Sequence, residues 1–197
     1  MNSDAVRKLH KRISRNFELL QTKAGQGYSE KYTQPDGNIV THQITNIKSP
    51  EDLENELLNL FTQIWNMKDH LKKLGKTTAN KKKIEDIINS DINLKIVGDI
   101  SNSDKHGGLD TNYKPRTGMT PRLKNVGFRI PQKAIGSITF EPYKTSIDIQ
   151  QPEEAIFRAE IGFTNGEPSK DAFDVLNNAL YAWETQAFPL VGLKIPE

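Results

Sequence analysis

Residues 88–93, INSDIN, decide how the helical part of this chain is built. The surrounding region 80–106 is apolar nearly all round, which is typical of a central helical element. Asn89, Ser90 and Asp91 are good N-cap residues, because their side chains compete for backbone hydrogen-bond donors. They predict that one helix ends here and that a shorter helix begins at residue 92 and returns alongside its neighbours.

Apolar periodicity predicts three further helices. Residues 4–23 repeat apolar side chains at steps of three and four, and basic side chains lie off that stripe. Ser49, followed by proline and two acids, predicts the start of a second helix, which Gly75 ends. Residues 169–188 predict the last helix, with a buried stripe that includes Trp183.

The remaining segments are richer in glycine, proline and strand-forming residues. Residues 25–49 predict a long loop with one extended piece near residues 38–47. Beyond Gly108 we expect an antiparallel meander of three strands, at residues 124–131, 135–142 and 154–163.

These elements together predict an α+β, mainly α fold. It consists of a bundle of about four helices, with a small antiparallel β-meander inserted before the C-terminal helix. We expect a single domain over residues 1–197, because a chain of this length suits one core. Its helical part covers residues 1–106 and 169–188, and its β insertion covers about residues 120–165.

Composition excludes several classes of protein. The 197 residues include no cysteine, so disulfides, thiolate catalysis and cysteine-ligated metals are excluded. No apolar run is long enough to span a membrane and the first twenty residues are charged, so we expect a cytoplasmic protein without a membrane partner. Serine triads and phosphate-binding glycine loops are absent, and no cofactor is expected.

One polar stripe on the helix after residue 92 is the candidate site. Lys95, Asp99, Asn102 and His106 recur at intervals of four, three and four residues, which places them on one face. If the chain breaks at INSDIN, Asp69 on the second helix can join them. His106 would then act as a general acid or base, with Asp99 and Asn102 orienting it.

Two other interpretations of this stripe stay open. Lys105 and His106 before Gly107 are also typical of a helix C-terminus, where cations favour the helix dipole and glycine adopts the left-handed conformation. A metal site formed by Asp69, Asp99 and His106 is the weaker alternative, because the spacing matches no known motif. We therefore predict no metal.

A basic strip follows the candidate site. Residues 105–133 hold seven lysines and arginines against one acid, Asp110, although the net charge of the whole chain is only +2. Such a strip either binds phosphate or keeps a loop solvated. The predicted RNA- or phosphate-binding residues are Lys114, Arg116, Arg122, Lys124 and Arg129.

Three motifs carry a resemblance: WNMKDHLKK at 65–73, VGDISNSDKHGG at 97–108 and LYAWETQAF at 180–188. They resemble a group of bacterial helical proteins with a Lys-Asp element followed by Asp-x-x-Asn-x-x-Lys-His. That group is similar to the higher eukaryote and prokaryote nucleotide-binding (HEPN-like) helical bundles, many of which are RNA-cutting toxins or defence nucleases. Active members carry an arginine before the histidine, where this chain has Ser101, so Lys105 or Arg116 would replace it.

The resemblance implies a bacterial or phage protein of RNA- or nucleotide-linked stress or defence biology, either a ribonuclease or a degenerate relative. In a ribonuclease, His106 would act on the ribose 2′-hydroxyl and Lys105 would stabilise phosphate charge. Lys95 and Asp69 would support the site. The alternative is a non-catalytic interaction module, such as an antitoxin, immunity or assembly protein. The expected partners are RNA or a nucleotide, a second protein, or another copy of the chain.

Overall fold

The computed structural model describes residues 3–105, 114–164 and 166–194, and it has five α-helices of eleven or more residues and seven strands in these ranges. The helices are α1 Ser3–Gln21, α2 Pro50–Leu74, α3 Thr78–Ser90, α4 Ile92–Lys105 and α5 Ala172–Ala182. The strands are β1 Tyr28–Thr33, β2 Ile39–Thr45, β3 Arg122–Arg129, β4 Ile135–Glu141, β5 Lys144–Ile149, β6 Ile156–Gly162 and β7 Lys170–Asp171. A π-helical turn, Trp183–Ala187, follows α5.

The predicted four-helix bundle with one inserted meander is wrong. The strands form two sheets, of order β1-β2-β5-β4 and β3-β6-β7, and two of them precede α2. The expected loop at residues 25–49 contains β1 and β2, and the expected meander missed β5. The physical reason is that β2 pairs in parallel with β5, about a hundred residues later, so its pairing partner is not visible in the local pattern.

The chain divides into two compact units. The first consists of Met1–Glu18, Glu56–Lys124 and Ala159–Glu197, and the second of Leu19–Asn55 and Asn125–Arg158. The expectation of a single domain stays a prediction.

The four-stranded sheet lies in the second unit and has one apolar face. Tyr28, Ile44, Ile147 and Ile138 are neighbours across β1, β2, β5 and β4, because β1–β2 and β4–β5 are antiparallel and β2–β5 is parallel. The first three pack against a buried cluster of Ile47, Ala134, Ile149 and Ala155. The same face ends at Phe140, which is 77% exposed.

The helix break predicted at INSDIN is confirmed. Helix α3 ends at Ser90, Asp91 has an extended backbone, and α4 begins at Ile92. The Oδ1 atom of Asp91 accepts a hydrogen bond from the backbone N–H of Leu94 at 2.9 Å, as an N-cap does. Helix α4 then contacts both α3 and α5.

The start of α2 agrees with its sequence signal, whereas the predicted helix over residues 169–188 is α5 only from Ala172 to Ala182. At the start of α2, the Ser49 hydroxyl accepts from the Asp52 N–H at 2.9 Å, and the Asp52 carboxylate accepts from the Ser49 N–H at 3.4 Å. This reciprocal pair is a capping box. Helix α5 begins after Asp171, which caps the N–H groups of Phe173 and Asp174.

The π-helical turn after α5 is held by contacts within the first unit. Trp183 is fully buried and donates its indole N–H to the carbonyl oxygen of Ile64 in α2 at 3.0 Å. Glu184 lies 2.5 Å from His10 of α1, and the rings of His10 and Phe188 are in edge contact. The turn thus connects the C-terminal segment to α1 and α2.

None of the helices in the described ranges is long and apolar enough to cross a membrane.

Candidate functional site

Asp99, at the centre of the predicted stripe, binds the backbone of a loop. Its side chain is buried, with 1% of the residue exposed. Oδ1 accepts from the Arg116 N–H at 2.8 Å, and Oδ2 accepts from the N–H of Thr117 at 2.9 Å and its hydroxyl at 2.7 Å. A buried carboxylate with three such donors orders the turn that carries Arg116.

The side chain of Arg116 points back to the helices. Its Nη1 atom donates to Glu85 and to Asn89 of α3, each at 3.1 Å. The guanidinium also lies over the ring of Trp65 in α2, 5.3 Å from its centroid. Asp99 holds the backbone of Arg116, and the Arg116 side chain in turn bonds to α3.

Trp65 is the platform of this arrangement. Its ring is 4% exposed and packs closely on α4, because a Cβ atom added to Gly98 would lie 2.8 Å from two of its ring carbons. The Lys68 ammonium lies 4.2 Å from the ring centroid, which is a cation–π distance. The ring of Trp65 thus contacts two cations, Lys68 of α2 and Arg116 of the loop.

Glu85 is the anion at the centre of the cluster. It pairs with Lys72 of α2 and with Arg116. Burial raises the pKa of Glu85, but the hydrogen bonds and charges of Lys72 and Arg116 outweigh burial and hold that pKa below its ordinary value of 4.5.

The surroundings of Lys68 disfavour its charged form, whereas those of Glu85 favour the charged carboxylate. Burial lowers the pKa of Lys68 from its ordinary 10.5, and the charges of Lys72 and Arg116 lower it further, against the opposing effects of Asp69 and Glu85. Its nearest carboxylate oxygen is Oδ1 of Asp69, at 3.8 Å.

The structure does not bring the predicted site residues together as expected. Asp69 has a side chain that is 60% exposed, and its ion pair among the described residues is with Lys68. Lys105 is exposed and donates to Asn66 at 3.2 Å. His106 lies outside the described residues.

The other two members of the stripe lie beside Asp99 on α4. Lys95 and Asn102 are both half-buried, as expected for one helix face next to a buried carboxylate. Among the described residues, Lys95 has no side-chain hydrogen bond or ion pair. Their predicted roles in catalysis stay predictions.

The basic strip is divided between the two units. Lys114, Arg122 and Lys124 are exposed in the first unit, and the aliphatic stem of Lys124 covers Gly162. Arg129 is exposed in the second unit, where the strip ends at Lys133, which pairs with Glu154 at 2.5 Å. Arg116 alone among the predicted phosphate-binding residues is engaged by α3.

Comparisons with protein-family models, with curated proteins and with solved structures gave no match to this chain.

No group of three or more histidine or acidic side chains in the described ranges is placed to hold a metal ion.

The residues that the sequence patterns did not indicate are Glu85, Lys68, Lys72 and Thr117. Their roles depend on contacts between α2, α3 and the loop, so no local motif marks them. The one available signal was the turn in KPRTGMTP, where Gly118 has a φ of 75° and its N–H bonds to the carbonyl of Pro115.

A second cationic surface lies on α1. Its cations are all exposed and fall within an arc of about 140° at 100° per residue, opposite the buried Val6, Leu9 and Ile13. We call it the α1 basic face, and it consists of Arg7, Lys8, Lys11, Arg12 and Arg15. Among the described residues, none of these five side chains has an ion-pair partner.

The lowered pKa of Glu85 predicts an acid-sensitive cluster. A carboxyl group whose pKa is lower in the folded protein adds stability above its unfolded pKa, and that stability is lost as the pH falls through the folded pKa. We expect Glu85→Gln to lower the free energy of unfolding at pH 7, and the difference from wild type to shrink below about pH 4.5. Urea unfolding at pH 7, 4 and 3 measures this difference.

Asp86→Asn is the control, because Asp86 is the exposed neighbour of Glu85 on α3. It should change stability by less than about 0.5 kcal/mol at pH 7. Equal curves for wild type and Glu85→Gln at every pH would show that the ion pairs of Glu85 add nothing to stability.

Proposed function

We propose that this protein binds RNA through the α1 basic face, in the RNA-linked stress or defence biology that its resemblance implies, in the bacterial cytoplasm. The observation that carries the proposal is the set of five exposed cations on one side of a helix whose other side is buried, none of them ion-paired within the described part of the chain. Nucleic-acid phosphates are the partner that such a surface fits.

The buried side of α1 narrows the class of partner. A basic amphipathic helix also suits membrane surfaces and helix-binding proteins, which both take up its apolar face. Here Val6, Leu9 and Ile13 are at most 5% exposed, so this apolar stripe is not open to such a partner. The exposed side carries the five cations together with Asp4, Glu18 and the half-exposed Leu19. Arg7 and Arg15 are separated by about 12 Å along the axis, which matches several phosphates of one strand.

The geometry favours binding over catalysis. Both oxygens of Asp99 are used by the loop, and Arg116 is held by α3. Cleavage through His106 stays a prediction, to be checked with His106→Ala in the same assay, by separating the RNA products on a gel.

Salt titration of RNA binding tests the proposal. Five phosphate contacts to single-stranded RNA give a slope of log K against log salt of about −3.5, or a loss of about 100-fold between 50 and 200 mM salt. The variant Arg7→Gln/Lys11→Gln/Arg15→Gln should bind with a slope of about −1.4 and lose only about 7-fold over that range. Fluorescence anisotropy of a labelled oligonucleotide measures both.

The matched control is Lys81→Gln/Lys82→Gln/Lys83→Gln. It removes the same charge from three exposed lysines of another helix, α3. We expect its slope to equal that of the wild type. If both triple variants lower the slope equally, binding depends on net charge, and the α1 basic face is not the site.

One observation favours the non-catalytic interaction module as a second candidate. The apolar face of the four-stranded sheet ends in exposed side chains, with Phe140 at 77%, Tyr143 at 57% and Tyr32 at 50%. Exposed aromatic side chains of this kind are enriched where proteins meet. If the wild-type protein does not bind RNA even at low salt, the interaction module becomes the favoured function.

A further inference from the structure

We propose that Lys68, Lys72 and Arg116 form a binding site for the phosphoryl group of a small free ligand, such as pyrophosphate or a phosphate monoester. The site lies in the first unit, between α2, α3 and the loop that Asp99 holds. It uses no residue of the α1 basic face and does not depend on RNA binding.

Two cations of the cluster share one carboxylate. Lys72 and Arg116 both pair with the partly buried Glu85, and among the described residues Lys68 has only the 60% exposed Asp69, at 3.8 Å. The carboxylate of Asp99 accepts from loop N–H and hydroxyl groups. Lys68 and Lys72 are also four residues apart on one helix, where like charges repel. An anion placed between them would remove this repulsion.

Hydrogen-bond donors in the cluster lack acceptors. The ammonium of Lys68 could donate three hydrogen bonds, yet it makes none to the residues that the structure describes. Arg116 uses Nη1 for Glu85 and Asn89, whereas Nε and Nη2 have no acceptor in the same part of the chain. An arginine fork beside two lysines fits the several oxygens of a phosphoryl group.

Burial limits the size of the ligand. The side chains of Lys68, Lys72 and Arg116 are only 18%, 24% and 30% exposed. Because Trp65 lies beneath two of these cations, the donors are held on a rigid support. Side chains with this little exposed surface are more accessible to a small anion than to the backbone of a nucleic-acid duplex, so we assign the site to a free phosphorylated molecule.

Isothermal titration of the whole protein with sodium phosphate and pyrophosphate, at constant ionic strength, tests this site. We expect saturable binding of pyrophosphate and a rise in Tm, while acetate, a singly charged carboxylate, gives neither. Lys68→Met keeps the apolar stem over Trp65 and should weaken pyrophosphate binding by about tenfold or more. Lys72→Met should do the same.

Lys81→Met is the control for loss of an exposed lysine and should bind pyrophosphate as the wild type does. A wild type that binds neither anion at 10 mM, or a Lys68→Met variant with unchanged affinity, would overturn the proposal. The two sites are separable, because Lys68→Met should leave the salt slope for RNA unchanged. The α1 triple variant should in turn leave pyrophosphate binding unchanged, and loss of that binding would assign the phosphate contacts to α1 instead.

Discussion

Asp99→Ala should destabilise the protein by about 2–4 kcal/mol, since it leaves the part-buried backbone N–H groups of Arg116 and Thr117 without their acceptor. The Thr117 hydroxyl keeps a second acceptor, the Met119 carbonyl at 2.9 Å. The loop would lose its anchor on α4, and Arg116 would lose its fixed position beside Glu85. Chemical denaturation followed by circular dichroism measures the change.

Asp104→Ala is the matched control for Asp99→Ala, because Asp104 is an exposed aspartate five residues further along α4. It should alter stability by less than about 0.5 kcal/mol. The result also separates the two interpretations of the stripe. An Asp99→Ala protein as stable as the wild type, but unable to cleave RNA that the wild type cleaves, would make Asp99 a member of an active site.

Trp183→Ala should cost about 3–5 kcal/mol, because it removes the largest fully buried side chain of the described core. Trp183→Phe should lower the free energy of unfolding by less, because it keeps most of the apolar volume, although it loses the hydrogen bond to the Ile64 carbonyl. The difference between the two variants reports packing around the π-helical turn. Thermal unfolding of both variants, followed by near-ultraviolet circular dichroism, gives the measurement.

Tyr181→Ala provides the comparison for Trp183→Ala, because Tyr181 is an aromatic residue at the end of α5, two positions before Trp183, and it is 65% exposed. We expect a change within about 0.5 kcal/mol. If Trp183→Ala were no more damaging than Tyr181→Ala, the C-terminal segment would not be part of the core of the first unit.

At the candidate site, local sequence patterns predicted the helix face but not the contacts between distant segments. The spacing of Asp99 and Asn102 placed them correctly on one helix face, because spacing alone determines which residues share a face. The partners of Asp99 are seventeen and eighteen residues away, and Glu85 meets Arg116 across thirty-one residues. No periodicity links positions at such separations, so the roles of Glu85, Lys68 and Lys72 were not predicted.

The sheets show the same limit more strongly. The extended piece near residues 38–47 was predicted and became β2, but its partner β5 was not predicted at all. Strand β1 was missed because YSEKYT follows a glycine-rich stretch typical of a loop. Parallel pairing between distant segments leaves no signature in either segment, so the predicted meander before the last helix was wrong.

The sequence by itself determined the start and end of α2 and the break between α3 and α4. Ser49, Asp91 and Gly75 act on backbone groups within a few residues, so their effects could be read without the rest of the chain. Only the tertiary structure decided which side chains meet. It placed the backbone of a loop on Asp99 and gathered three cations around Trp65 and Glu85, because those contacts depend on how distant segments pack.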